Sequence, residues 1–247
     1  GILGFYSTKL EIDASAETLL LDDDKDLQFY REVNKTYHNP DFLLVTFTPN
    51  SSLLSNTSLE AIKSMSDKFL KINQVNTITS ILNVPLFQSP IKPLSSVVDG
   101  VKTLESGDFN KKLVKKEFLN SELYTNNLVS KDFKTTAIVL NLKEDKKYKE
   151  LLEKRVRYKE SKNYEKLTLI EQKIKEHKQT QRELQSKYIS QIRAVIKNHE
   201  DKGKIFLGGV NMIANDIIGY IKSDLIIYGG SLVVLLTIIL WVIFKKL

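Results

Sequence analysis

Asp22, Asp24 and Asp26 have the alternate spacing of the first three ligands of a calcium-binding loop. Such a loop also needs a glycine for its sharp turn and a bidentate glutamate at its end. Leu27 and Val33 stand at those positions, so calcium binding is not expected. The aspartates instead suit the start of a helix over residues 27–37, where they would cap it and complement its dipole. Phe29, Tyr30, Val33 and Tyr37 would form its apolar side.

The three histidines, His38, His177 and His199, are far apart and sit in polar surroundings. Each is expected at the surface, neither ligand nor base. The chain has no cysteine, hence no disulfide framework and no thiolate metal site. Gly208-Gly209 and Gly229-Gly230 are too short to cradle phosphate, and no nucleophile–base–orienter set is visible. No catalytic residue, cofactor or metal is expected, and the chain does not read as an enzyme.

The C-terminal end has a different chemistry. Leu225 to Phe244 are 20 residues without a charge. At about 1.5 Å per residue they cover roughly 30 Å, the thickness of a bilayer's hydrocarbon core. A soluble helix of that length would keep a polar stripe, and this one has none. A transmembrane helix is predicted, bounded by Asp224 and by Lys245-Lys246. Lysines flanking a span favour the cytoplasmic side, which places the preceding residues outside the cytoplasm. The apolar opening Ile2-Leu3-Gly4-Phe5-Tyr6 is too short for a signal peptide. It reads as the last turn of an earlier span or as the start of a strand.

The net charge of +7 is concentrated in one segment. Lys143 to Lys204 hold 19 Lys+Arg against 11 Asp+Glu, and the rest of the chain holds 18 against 19. Nucleic-acid binding would call for aromatic residues interleaved with the basic ones, and this segment has few. A solvated helical surface is expected, with anionic lipid headgroups or an acidic partner as its next use.

The elements that must hold these residues follow from periodicity and punctuation. Residues 42–48 form a strong strand stopped by Pro49. Ser58 would cap a helix running to about Asn73, with Leu59, Ile62, Met65, Phe69 and Ile72 at helical spacing. Val75 to Leu82 alternate as a second strand. Residues 83–110 are irregular, with short helices expected at about 95–104 and then 111–118. Phe133 to Leu142 read as a third strand, 144–200 as helix, and 204–208 as a fourth strand. Ser161-Lys162-Asn163 is the weakest helical stretch and the expected turn. Tyr148, Leu151, Leu152, Val156 and Tyr158 would then face Leu167, Ile170 and Ile174 in an antiparallel hairpin arm of roughly 25 Å. His177 and Gln181 fall in its seam, and the half from Leu184 onward would pack on the sheet. Two strand–helix–strand units in series predict an α+β, ferredoxin-like split βαβ domain with a long helical-hairpin insert.

An exported ferredoxin-like domain that feeds into a membrane helix resembles the porter domains of the resistance-nodulation-division (RND) superfamily. Residues 121–132, Ser-Glu-Leu-Tyr-Thr-Asn-Asn-Leu-Val-Ser-Lys-Asp, followed by Lys134-Thr135-Thr136-Ala137, are similar to the approach to the third strand in the predicted RND exporters. Those exporters are related to the mycobacterial large membrane proteins and the hopanoid exporters. Phe206-Leu207-Gly208-Gly209-Val210, with Met212-Ile213-Ala214 and Asp216, resembles their strand-to-membrane junction. Phe133 stands where the family pattern has Gly, and Asn211 where it has Pro.

The resemblance implies a domain organisation. Residues 1–41 would follow a first span, 42–210 would be the porter domain with its hairpin at about 144–183, 211–224 a junction, and 225–244 the second span. It implies proton-motive-force-driven export of hydrophobic or amphiphilic molecules across a bacterial inner membrane, with the bulk of the chain periplasmic. Membrane lipids, the substrate, further spans and a second porter domain would be its partners, and nucleic acid would not. Val84, Leu86, Phe87, Leu94, Val97, Val98 and Val101 would face the substrate, or else pack against that second domain. No proton-relay residue lies in this span. The alternative is a membrane-anchored structural or tethering protein whose basic helical arm binds a partner.

Overall fold

The computed structural model describes residues 41–87, 102–106 and 109–245. The acidic run at 22–26, the helix expected at 27–37, His38, and Leu94, Val97, Val98 and Val101 lie outside these residues. The elements run β1 (Phe42–Pro49), α1 (Asn56–Leu70), β2 (Val75–Thr79), α2 (Lys111–Asn120), β3 (Thr136–Leu142), α3 (Lys146–Glu160), α4 (Tyr164–Lys197), β4 (Gly203–Gly208) and α5 (Val210–Phe244). Residues 39–209 form one compact unit, and α5 belongs to another.

The first unit is α+β, built on a four-stranded sheet of order β2-β3-β1-β4 in which every neighbouring pair is antiparallel. Strand side chains alternate between faces. Leu43, Val45 and Phe47 of β1 and Ile138, Leu140 and Leu142 of β3 are therefore buried on one face. Onto it pack α1, through Ala61, Ile62, Met65 and Phe69, and the distal half of α4, through Ile189, Ile192 and Ile196. Each fully buried side chain of this kind contributes about 1.5–3 kcal/mol. On the opposite face Phe42 and Phe206 are 54% and 67% exposed.

Strand β1 ends at Pro49, one residue beyond the expected Thr48. The proline's lack of an N–H is tolerated at the strand end, and it is the last residue opposite Gly203. Strand β2 departs from simple alternation. Its register slips between Val75 and Thr77, so that both Val75 and Ile78 point into the core. The extra residue of a bulge resets which side chains face inward. The same strand ends at Thr79, earlier than alternation suggests, because Asn83 takes over there. Its Oδ1 accepts the Ser80 N–H at 2.8 Å and its side-chain amide donates to the Ile78 carbonyl at 2.6 Å.

The cap of α1 is Ser55, three residues before the expected Ser58. Its Oγ accepts from the Ser58 N–H at 3.2 Å. Ser58 is buried one turn in and donates to the Ser52 carbonyl at 2.8 Å. Helix α2 buries Val114 and Phe118. The Phe118 ring lies 5.2 Å from Tyr124 and 6.3 Å from Phe133. Phe133 holds φ +58°, the conformation a glycine would adopt without strain. Burial of its ring, 6% exposed, offsets a backbone cost of order 1–3 kcal/mol.

Helices α3 and α4 form the hairpin arm. Its own small core is Leu151, Ile170 and Ile174, flanked by Tyr148, Leu152, Tyr158 and Leu167. Val156 is not in the seam and is 51% exposed. It lies about 140° around the helix from Leu151. Leu184 is likewise 45% exposed, and α4 is buried again only from Tyr188. The turn is a Schellman motif. The Asn163 N–H bonds to the Tyr158 carbonyl and the Lys162 N–H to the Lys159 carbonyl, with Lys162 at φ +52°. Asn163 then caps α4, accepting from the Lys166 N–H at 3.1 Å.

Helix α5 has 35 residues, and its Gly219–Phe244 stretch, of mean hydropathy 2.5, is long and apolar enough to cross a membrane.

Candidate functional site

The apolar stretch of α5 exposes its side chains along its length, Leu225 through Phe244. A helix in hydrocarbon must satisfy its polar groups internally. Ser231 donates to the Tyr228 carbonyl at 2.8 Å and Thr237 to the Val233 carbonyl at 2.7 Å. At the far end the Lys245 ammonium lies 4.5 Å over the Trp241 ring. That pairing of cation and aromatic face suits the membrane–water boundary.

Of the residues expected to face a substrate, three are described. Val84 and Leu86 are 6% and 5% exposed and belong to the core. Phe87 is 56% exposed. This short stretch is tied down on every side. The Leu86 N–H bonds to the Lys102 carbonyl at 2.8 Å, and the Tyr124 hydroxyl donates to the Pro85 carbonyl at 2.7 Å. The Phe87 N–H donates to Oε1 of Glu117.

Sequence reasoning missed Glu117. It is 5% exposed, and its Oε2 has no hydrogen-bond partner among the described residues. Burial, and then the negative charge of Glu117, pushes the Tyr124 hydroxyl pKa upward. The clue was positional. Glu117 lies three residues after Val114 and just before Phe118, on the stripe that α2 buries.

Two histidines expected at the surface are not there. His199 is 5% exposed. Its Nδ1 lies 2.7 Å from the Val195 carbonyl, which only accepts, so Nδ1 donates. Its Nε2 faces the Ser64 hydroxyl at 3.0 Å and the Lys68 ammonium at 3.5 Å. The ring thereby links the end of α4 to α1. The physical reason is that α4 ends at Lys197, and the imidazole just beyond it is held between the Val195 carbonyl and the Ser64 hydroxyl of α1. Polar sequence neighbours did not reveal this, because the partners are distant in sequence.

In the arm, the side chain of His177 is 9% exposed and its Nε2 lies 2.7 Å from Oδ2 of Asp145. The same carboxylate caps α3 by accepting the Tyr148 N–H at 2.9 Å. The His177 and Tyr148 rings stack at 6.3 Å, and Gln181 lies 3.5 Å from His177. The polar seam positions thus have partners.

The Ser64–His199 contact pairs a hydroxyl with an imidazole, but the ring's second nitrogen is committed to a backbone carbonyl. The geometry suits a staple between helices. Among the described residues no group of three His, Asp or Glu could hold a metal ion.

No protein-family model matches the chain, and no curated protein matches it.

Proposed function

We propose that the chain is a ferredoxin-like porter domain and adjoining span of an RND-type exporter of hydrophobic or amphiphilic molecules. One observation carries this reading: the sheet order β2-β3-β1-β4, antiparallel throughout, with β4 passing through Gly209 directly into an apolar helix. That order arises when two strand–helix–strand units lie side by side with their helices on one face, as in the split βαβ motif.

In this reading the domain sits outside the cytoplasm of a bacterial inner membrane and handles substrate above the bilayer. Among the described residues of its substrate-facing stretch Phe87 is the exposed one, its backbone N–H held by Glu117. Energy coupling needs an ionisable group within the membrane. Tyr228, Ser231 and Thr237 are the most polar residues between Leu225 and Phe244, and none of the 20 is Asp, Glu, His, Lys or Arg. The proton relay therefore belongs to other spans of the transporter.

The test is dye accumulation in cells that make the protein carrying this chain. An amphiphilic dye should accumulate less than in cells lacking it, and collapse of the proton gradient should abolish the difference. Equal accumulation with and without the protein overturns the exporter reading. A topology reporter inserted near Asn163 should be active outside the cytoplasm and one after Lys246 inside.

A further inference from the structure

Between Lys154 and Leu167 six Lys/Arg residues stand against two glutamates. This segment is the tip of the hairpin arm, the last turns of α3 and the first of α4. By the helical rise it lies within about 10 Å of the apex. Lys154 is engaged by Glu150, and Lys166 lies 5.8 Å over the Tyr158 ring. Arg155, Arg157, Lys159 and Lys162 are exposed and form no ion pair among the described residues. Nearer the base of the arm, Lys149 does pair with an acid, Glu144. Exposed apolar groups sit among the unpaired bases: Val156 at 51% and Tyr164 at 71%.

We infer that the tip of the arm is a docking site for a surface of anionic lipid headgroups. The chemistry is that of a phosphate-rich plane. Exposed bases gain from many negative charges at once, and an aromatic such as Tyr164 suits the headgroup level. The shape decides against a folded acidic protein. A two-helix tip is convex and narrow, whereas a stable protein interface buries about 1,200–2,000 Å² in all. A membrane surface needs no such area, since each base near it contributes independently. Position supports the same choice: the helical turn carries the charge outward, away from the sheet and its core. This assignment does not depend on the exporter reading.

The full chain, held in nanodiscs of neutral phosphatidylcholine, is mixed with separate vesicles and floated on a density gradient. It should float with phosphatidylglycerol-containing vesicles and not with pure phosphatidylcholine vesicles, and high salt should release it. Replacing the four bases together (Arg155→Gln, Arg157→Gln, Lys159→Gln, Lys162→Gln) should weaken binding on the order of several hundredfold, about fivefold for each base. All four are exposed, so the thermal transition should be unchanged. The pair Lys187→Gln and Lys197→Gln, on exposed positions away from the tip, should leave binding within about twofold of the parent once the tip is intact. Three results overturn the proposal: equal binding to neutral vesicles, equal loss from the distal pair, or no binding at all. Capture by soluble polyglutamate as tightly as by anionic vesicles would assign the tip to an acidic polypeptide instead and likewise overturn it.

Discussion

Oδ2 of Asp145 and Nε2 of His177 lie 2.7 Å apart across 32 residues of sequence, joining the start of α3 to the middle of α4. The bond closes the base of the arm. Beyond it the helices share a separate core, Leu151, Ile170 and Ile174, which is distinct from the side chains that cover the sheet. The arm is therefore expected to be dispensable for folding. Replacing Leu151 to Arg182 with a short Gly-Ser turn should leave a cooperative thermal transition in the detergent-solubilised protein. Loss of that transition would show that the arm is part of the domain core.

His199 should matter more than its place after a helix end suggests. His199→Ala removes a buried ring and leaves the Ser64 hydroxyl without its partner. A loss of about 1–3 kcal/mol is expected from the abandoned polar groups. Ser64→Ala removes one hydrogen bond from a half-buried site and should cost less, about 0.5–1.5 kcal/mol. Denaturant melts of the two variants check the order. Equal, negligible effects would mean that the ring is not a staple.

Gly203 is required by space. A Cβ there would lie 2.3 Å from the Thr48 carbonyl oxygen and 2.7 Å from the Pro49 Cα, both backbone atoms of the neighbouring strand. Neither can move without breaking the β1–β4 ladder. Gly203→Ala should destabilise by about 1–3 kcal/mol, the range for overpacking. Hydrogen exchange should show faster opening at β4 than at β2.

Lys162 poses the opposite case. It is exposed and holds φ +52° at the Schellman turn, where a Cβ is unfavourable. Lys162→Gly should raise stability by about 0.5–1 kcal/mol, after allowing for glycine's extra freedom in the unfolded chain. A fall in the midpoint of thermal unfolding would contradict the turn geometry.

Tyr188 gives a pH dependence. Burial, and then the negative charge of Asp41, pushes its hydroxyl up to about 12. A tyrosine is neutral below its pKa, and the fold favours that neutral form. The stabilisation is therefore complete below the unfolded value of about 10 and is lost as pH rises through 10 towards 12. Tyr188→Phe keeps the ring without the titrating group and should flatten the loss of stability over that window. An unchanged alkaline profile would place the titration elsewhere.

Period and punctuation alone located most of the elements. Strand β1 announces itself by β-branched and aromatic residues before Pro49, and the arm by its long run without Pro or Gly and its break at Ser161-Lys162-Asn163. The apolar run from Leu225 is legible because 20 residues without a charge stand out in any sequence, and the structure makes them one helix long and apolar enough to cross a membrane.

Long-range contacts were not legible, and they decided the rest. His199 and Ser64 are 135 residues apart, so no local pattern marks the imidazole as buried. The inward turn of Ile78 depends on a bulge that exists only once β3 is alongside. Val84 and Leu86 look like lining residues in an irregular stretch and are buried, in a segment whose backbone is tied to Glu117 and Tyr124. Sequence determines which segments are helical, extended or apolar through local sterics and solvation. Which polar groups are buried, and which apolar groups remain exposed, is decided only when distant segments meet and each buried donor must find its acceptor.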